Sequence, residues 1–320
     1  MPHDPDPQSP HLAEPEATPH PGFPARVALR PGVRVVRRSA TELQVGLGAD
    51  RAVVLPDDPS VRLVLRGLDD GQPPPPPAHL TPAARHACDL LLARGLVVDA
   101  GAWCSALHRL DGPAAAARSA LVAEDGDEAL PLLDRRRSVR IGLSTAGLSD
   151  AAAQLEGLLQ MAGLATVRND RAGRADVVAV LTEGEPDRSL LDDLVAAERP
   201  HVVLVVCEGH VRIGPFVHPG LTACQRCLDA FAAERDPRHA LVLEQYAGAS
   251  RPLWGLPPPV PADLVTLATG LLARDLTRWA DVRQPATWST TIEVDPALSL
   301  PRMTWSRHAA CGCSSNLRTA

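Results

Sequence analysis

Residues His218–Phe231 read HPGLTACQRCLDAF and set Cys224 and Cys227 as Cys-x-x-Cys; Trp305–Ser315 read WSRHAACGCSS and set Cys311 and Cys313 as Cys-x-Cys. Two close thiol pairs, far apart in the chain, are the donor set of a structural zinc site. Zinc takes four thiolates tetrahedrally, and each pair supplies one edge of the tetrahedron. The distance between the pairs is too long for a small zinc finger. The spacing therefore predicts a metal that pins the C-terminal segment back onto a folded domain. A site closed by four thiolates leaves no position for water, so its role is structural.

The rest of the composition bounds the setting. The 320 residues suggest about two domains. Hydrophobic residues make up 45% and aromatics only 3%, so the core is built of Leu, Val and Ala. A net charge of −6 argues against non-specific binding to nucleic acid or to an anionic membrane. No apolar run approaches the roughly 20 residues of a membrane span. The N-terminus lacks the basic and apolar regions of a signal peptide. A cytoplasmic location follows, where clustered thiols stay reduced and bind metal. All 32 basic residues are arginine; there is no lysine.

Along the chain, residues 1–24 are rich in proline and acid and read as a disordered tail. Val33–Arg38, Glu42–Leu47 and Arg51–Pro56 form three β-rich runs separated by turn residues, a meander. Helices are expected over Ser60–Leu68 and Pro82–Arg94, the second with Thr81 as cap and Pro82 in its first turn. Leu96–Ala100 reads as a strand. The small domain spans 25–105, and 106–138 reads as a linker, partly helical. From Val139 an α/β rhythm begins: strands at Val139–Leu143, Asp176–Leu181 and His201–Val206 alternate with helices at Ser149–Ala162 and Leu190–Glu198. Apolar strands alternating with helices imply a parallel sheet covered on both faces. Thr287–Asp295 and Leu300–His308 are expected as late antiparallel strands.

Residues 139–315 resemble the ThiF superfamily, the fold of ubiquitin-activating and related adenylating enzymes. The likeness rests on GPFVHPGLTACQRCL, in which Gly214, Pro215, Pro219, Gly220, Cys224, Cys227 and Leu228 match, and on the closing HAACGC. The second pair is Cys-x-Cys where that family has Cys-x-x-Cys, which makes His308 a rival fourth ligand. The first domain resembles the PqqD-like peptide-recognition element, a winged helix of three strands followed by helices. The matching stretch runs LRPGVRVVRRSATELQVGLGADRAVVLPDDPSVRLVLRGLDDG and on to LLLARGLV. The resemblance implies the fold class: an α/β, Rossmann-type ThiF-like domain (139–320) with structural zinc, preceded by a winged-helix α+β domain. The order of the two is similar to the partner protein of azole-forming cyclodehydratases. Such a protein binds a precursor's leader peptide, which adds as a strand to a sheet edge. It presents that precursor to a YcaO-type enzyme. A groove between Arg51–Leu55 and Pro82–Arg94 is implied, lined by Arg51, Val53, Arg85 and Asp89. A homodimer is a further implication of the ThiF-like fold.

Chemistry by the chain itself is not expected. Adenylating relatives need a glycine-rich turn after the first strand, whose backbone N–H groups hold phosphates. Here GLSTAGLSD (Gly142–Asp150) offers only Gly142 and Gly147, and the lysine those relatives use is missing. ATP is therefore not an expected cofactor; Ser144 and Thr145 read as caps of the following helix. Cys88 reads as a core thiol. Cys207 reads either as a core thiol or as a nucleophile at the sheet's C-terminal edge, the former favoured. Two rival functions remain: an ATP-dependent adenylating enzyme, and a winged-helix regulator whose Arg26, Arg30, Arg34, Arg37 and Arg38 meet DNA phosphates.

Overall fold

The structure, a computed structural model, describes residues 19–107, 112–168, 173–248 and 259–313. The chain forms two compact units, Met1–Leu130 and Pro131–Ala320.

The first unit opens with β1 (Val27–Leu29), β2 (Val35–Arg37), β3 (Glu42–Val45) and β4 (Val53–Pro56). Helices α1 (Pro59–Asp69) and α2 (Pro82–Ala93) follow, then β5 (Val97–Asp99) and α3 (Ala100–Leu107). Strands β2, β3 and β4 make an antiparallel sheet in that order, and β1 pairs separately with β5. Asp58 caps α1 by accepting from Ser60 N–H at 2.8 Å. Thr81 caps α2 through Ala84 N–H at 3.2 Å, as its sequence predicts. Val45, Val53, Leu55, Val61, Leu68, Ala87, Cys88 and Leu91 are buried in one core. The tail expected over 1–24 lies outside the described residues as far as residue 18, and the linker expected over 106–138 reads as partly helical. Residues 19–24 are not a tail, because His20 and Phe23 are buried and their rings meet edge-on at 5.1 Å. The stretch 106–138 carries α4 (Gly112–Asp125) and α5 (Ala129–Arg137), with Leu121, Val122 and Leu133 buried.

The second unit holds the seven-stranded sheet. Its elements are β6 (Arg140–Ala146), α6 (Ser149–Met161), β7 (Ala165–Arg168), β8 (Val177–Glu183), α7 (Arg188–Ala196), β9 (His201–Cys207) and β10 (His210–Val217). Then come α8 (Gln225–Arg235), α9 (His239–Gly248), α10 (Ala262–Val282), β11 (Thr290–Val294) and β12 (Arg302–Thr304). The order is β12-β11-β10-β9-β8-β6-β7. The strands from β7 to β9 are parallel and those from β9 to β12 antiparallel, so the sheet is mixed. Helices α6 and α10 bury Leu155, Leu159, Leu272 and Leu276 on one face. On the other, Leu191 and Leu194 of α7 cover Val178, Val180, Val203 and Val205. Ser144 and Thr145 are not caps: parallel pairing with Val180 and Leu181 draws them into β6, and Leu148 takes the N-cap position without a side-chain bond. None of the described helices is long and apolar enough to cross a membrane.

His201, at the start of β9, is fully buried. Its Nδ1–H donates to the Arg199 carbonyl at 3.0 Å, and Nε2 has no hydrogen-bond partner among the described residues. Burial pushes its pKa down to about 4. The unfolded chain takes up this proton near pH 6.5, whereas the folded chain refuses it until about pH 4. Stability linked to His201 is thus fully present above pH 6.5 and falls as pH drops toward 4. Denaturant titrations should show a loss of about 2 kcal/mol between pH 7 and pH 5. His201→Leu should flatten that slope.

Candidate metal centre

Four cysteines meet at one place. Cys224 caps the N-terminus of α8, and Cys227 lies in its first turn. The chain reaches them through the end of β10, where the register shifts between Ile213 and Phe216 at a cis Gly214–Pro215 peptide. Gly214 has φ +85°, and a Cβ there would collide with the Thr290 carbonyl oxygen. Only glycine fits this close approach of β10 to β11. Arg188 fastens α8 to α7 by pairing with Asp229 at 2.8 Å and with Glu185 at 3.0 Å. From the other side, the β11–β12 hairpin carries Trp305, Cys311 and Cys313 against Val217, Ala223 and Leu228.

The sulfur atoms fit a zinc ion. Cys224 Sγ lies 3.7 Å from Cys227 Sγ and 3.6 Å from Cys311 Sγ; Cys227 Sγ lies 3.5 Å from Cys313 Sγ. All four lie within 4.8 Å of one another. A tetrahedron with Zn–S bonds of about 2.3 Å has edges of about 3.8 Å. The electrostatics point the same way. The hydrogen bond between the first two thiols holds Cys227 down to about 4 and pushes Cys224 up. Burial pushes Cys311 up to about 11. Two thiols are thus held protonated beside one held as thiolate, and a divalent cation is what would let all four donate as thiolates.

His308 is not a rival ligand. Its Nε2 meets Glu234 Oε1 at 3.0 Å, its Nδ1 accepts from Ala310 N–H at 3.1 Å, and its ring packs edge-on against Phe231 at 4.7 Å. Its backbone N–H instead serves Cys227. Arg307 was not anticipated. Its guanidinium donates to the Gly220 carbonyl at 2.7 Å and the Cys313 carbonyl at 3.4 Å, so it ties both cysteine loops together. The sequence signal was its place just before the second pair.

The groove residues fare differently. Val53 is buried in the first unit's core, so it does not line a surface. Strand β4 alternates buried and exposed from Val53 to Pro56, and Val54 is the outward residue. Arg85 and Asp89 stand exposed, one turn apart on α2. Arg51 gives its guanidinium to the carbonyls of Ala123 (3.0 Å) and Glu124 (3.1 Å) in the last turn of α4.

At the turn after β6, where a nucleotide's phosphates would rest, Gly147 has φ +82°. A Cβ there would lie 2.7 Å from Glu183 Cβ and 2.9 Å from its Oε2. A carboxylate packed on this turn opposes a phosphate at the same place. Cys207 ends β9 half-buried, 3.3 Å from the Tyr246 hydroxyl.

No protein-family model matches the chain, and no curated protein matches it by sequence. Solved structures do. The heterocyclase TruD aligns at 16% identity and a TM-score of 0.62, over 91% of this chain and 43% of that one. A heterocyclase in complex with substrate and cofactor aligns at 16% and 0.60, over 91% and 40%. The microcin C7 biosynthetic enzyme MccB, in complex with N-formylated MccA, aligns at 11% and 0.57, over 90% and 99%. The chain thus spans less than half of the two heterocyclases and almost all of MccB. At these identities the likeness is one of fold alone.

Proposed function

We propose that this chain is a non-catalytic, peptide-presenting protein. Its first unit receives the leader of a ribosomally made precursor peptide, and its second is a zinc-stapled scaffold that docks a YcaO-type enzyme for azoline or azole formation. One observation carries the reading: the likeness to a heterocyclase covers 91% of the chain, both units included, yet only 43% of the heterocyclase. The rest of that heterocyclase is not matched by these 320 residues. MccB in complex with N-formylated MccA adds a biosynthetic enzyme of like fold with a bound partner.

The leader would pair with β4. Arg38 N–H bonds the Glu42 carbonyl, Gly46 N–H bonds the Arg34 carbonyl, and Asp57 N–H bonds the Thr41 carbonyl. By antiparallel alternation, Leu43 and Val45 bond to Leu55 and Val53, and the N–H and C=O of Val54 face the open edge. Peptide addition to that edge uses main-chain bonds for affinity. Fluorescence polarisation with labelled peptides from short reading frames beside the gene tests this. Val54→Pro removes the outward N–H and no ladder bond. It should weaken binding at least tenfold without unfolding the unit. No binding by any co-encoded precursor would overturn the reading. In the rival adenylating reading, the chain would catalyse ATP–pyrophosphate exchange. Absence of exchange is expected, because Glu183 packs on the β6–α6 turn and the chain has no lysine.

A further inference from the structure

We propose that the last turn of α4 is an internal strap that holds Arg51 in the place the bound peptide takes, so that peptide binding and α4 docking compete. The inference rests on the peptide-binding reading above. Bonds within the first unit bring the ends of α2 and α4 and the start of β4 together. Arg94, at the end of α2, donates to the Asp50 carbonyl at 2.7 Å, which brings that helix end to the start of β4. Arg30, itself buried, donates to the Gly95 carbonyl at 3.0 Å and to the Val122 carbonyl at 3.1 Å. Arg51, next to β4, donates to the following two carbonyls, Ala123 and Glu124. The C-terminal turn of α4 therefore sits beside the start of β4 and the end of α2.

The anchoring is unequal. Behind the turn, Gly126 at φ +62° packs on the Arg30 guanidinium, and Asp127 accepts from Asp99 N–H at 3.0 Å. This root is tied by a buried arginine and by a strand end. Arg51 is the outer tie, with its side chain 40% exposed. What it holds is the negative end of a helix dipole leading into an acidic run, Glu124-Asp125-Gly126-Asp127-Glu128. Carbonyl oxygens beside carboxylates are what an acidic extended peptide would also offer to Arg51. The matching partner is therefore an acid-bearing peptide strand whose entry on β4 displaces the α4 turn from Arg51 while the root at Gly126 holds.

Hydrogen–deuterium exchange on the full chain tests this with and without the binding peptide, and with Arg51→Ala. In the ligand-free variant, amides of residues 118–125 should exchange at least tenfold faster, with β3 unchanged. In the wild type, the bound peptide should speed the same amides and slow those of β4. If Arg51→Ala leaves α4 exchange unchanged, the strap is overturned whatever the ligand. If a peptide protects β4 and leaves α4 untouched, the strap falls and the peptide reading stands. Absence of binding to either protein overturns both.

Discussion

Replacing Cys311 with serine should lower the melting temperature of the second unit by about 10–20 °C, and withdrawing metal with a strong chelator should lower it by at least as much. Elemental analysis of the untreated protein should find about one zinc per chain. The magnitude follows from two numbers. Four-thiolate zinc contributes on the order of 10 kcal/mol to the state that binds it. A domain's whole stability is about 5–15 kcal/mol. Losing one of four ligands forfeits about half of the zinc term, and in a unit of this size each kcal/mol moves the melting point by about 2–4 °C. The damage should be local first. The clasp joins α8 to the segment after β12, so exchange should rise across residues 290–313 while β6, β8 and β9 stay protected. His308→Ala should leave zinc content unchanged, because its ring nitrogens are engaged by Glu234 and Ala310. An unchanged melting curve together with no bound zinc would overturn the assignment.

The meeting of the four cysteines was legible because few side chains do what four thiolates do. The α/β rhythm was legible because central parallel strands are continuous apolar runs, as in Val177–Leu181 and His201–Val206. Other features were hidden for physical reasons. In β4 the run Val53-Val54-Leu55 is apolar throughout, so nothing in it marks which face is buried; pairing with Leu43 and Val45 decides that, and the outward residue is one position from the expected one. The segment GPAAAARSALVAED lacks an apolar–polar period because alanine suits both environments. It folds as α4 on the strength of Leu121 and Val122, and the arginines that hold its end, Arg30 and Arg51, lie some 70–90 positions away in sequence. Ser144 and Thr145 have the chemistry of helix caps, yet the edge they present to β8 claims them for the sheet.

The second large effect concerns the arginines at 135–137, which sequence pattern alone would treat alike. The end of α5 separates them. Arg137 turns to solvent, where it pairs with Asp134 at 2.8 Å with both side chains more than half exposed. Arg136 turns inward, its side chain 5% exposed, and makes a two-pronged bond to Asp281: Nε to Oδ1 at 2.7 Å and Nη2 to Oδ2 at 2.5 Å. Its Nη1 also donates to the Ala162 carbonyl at 3.1 Å, while Arg135 donates to the Asp281 backbone carbonyl. One guanidinium thus joins the ends of α5, α6 and α10 where the chain enters β6. Removing one partner of such a pair leaves a charge stranded out of water, which costs about 3–5 kcal/mol. Arg136→Ala and Asp281→Ala should each show that loss in chemical denaturation, and Arg137→Ala less than about 0.5 kcal/mol. The double replacement Arg136→Met with Asp281→Leu should recover most of the loss, since two apolar side chains strand no charge. High salt should leave the Arg136 effect in place, because ions screen exposed pairs far better than buried ones. Equal losses at Arg136 and Arg137 would show that the inward arginine is not held as described. If only Arg136 matters, the pair is a lock on the entrance to the sheet, and its cost falls on the unit that carries the four clustered cysteines.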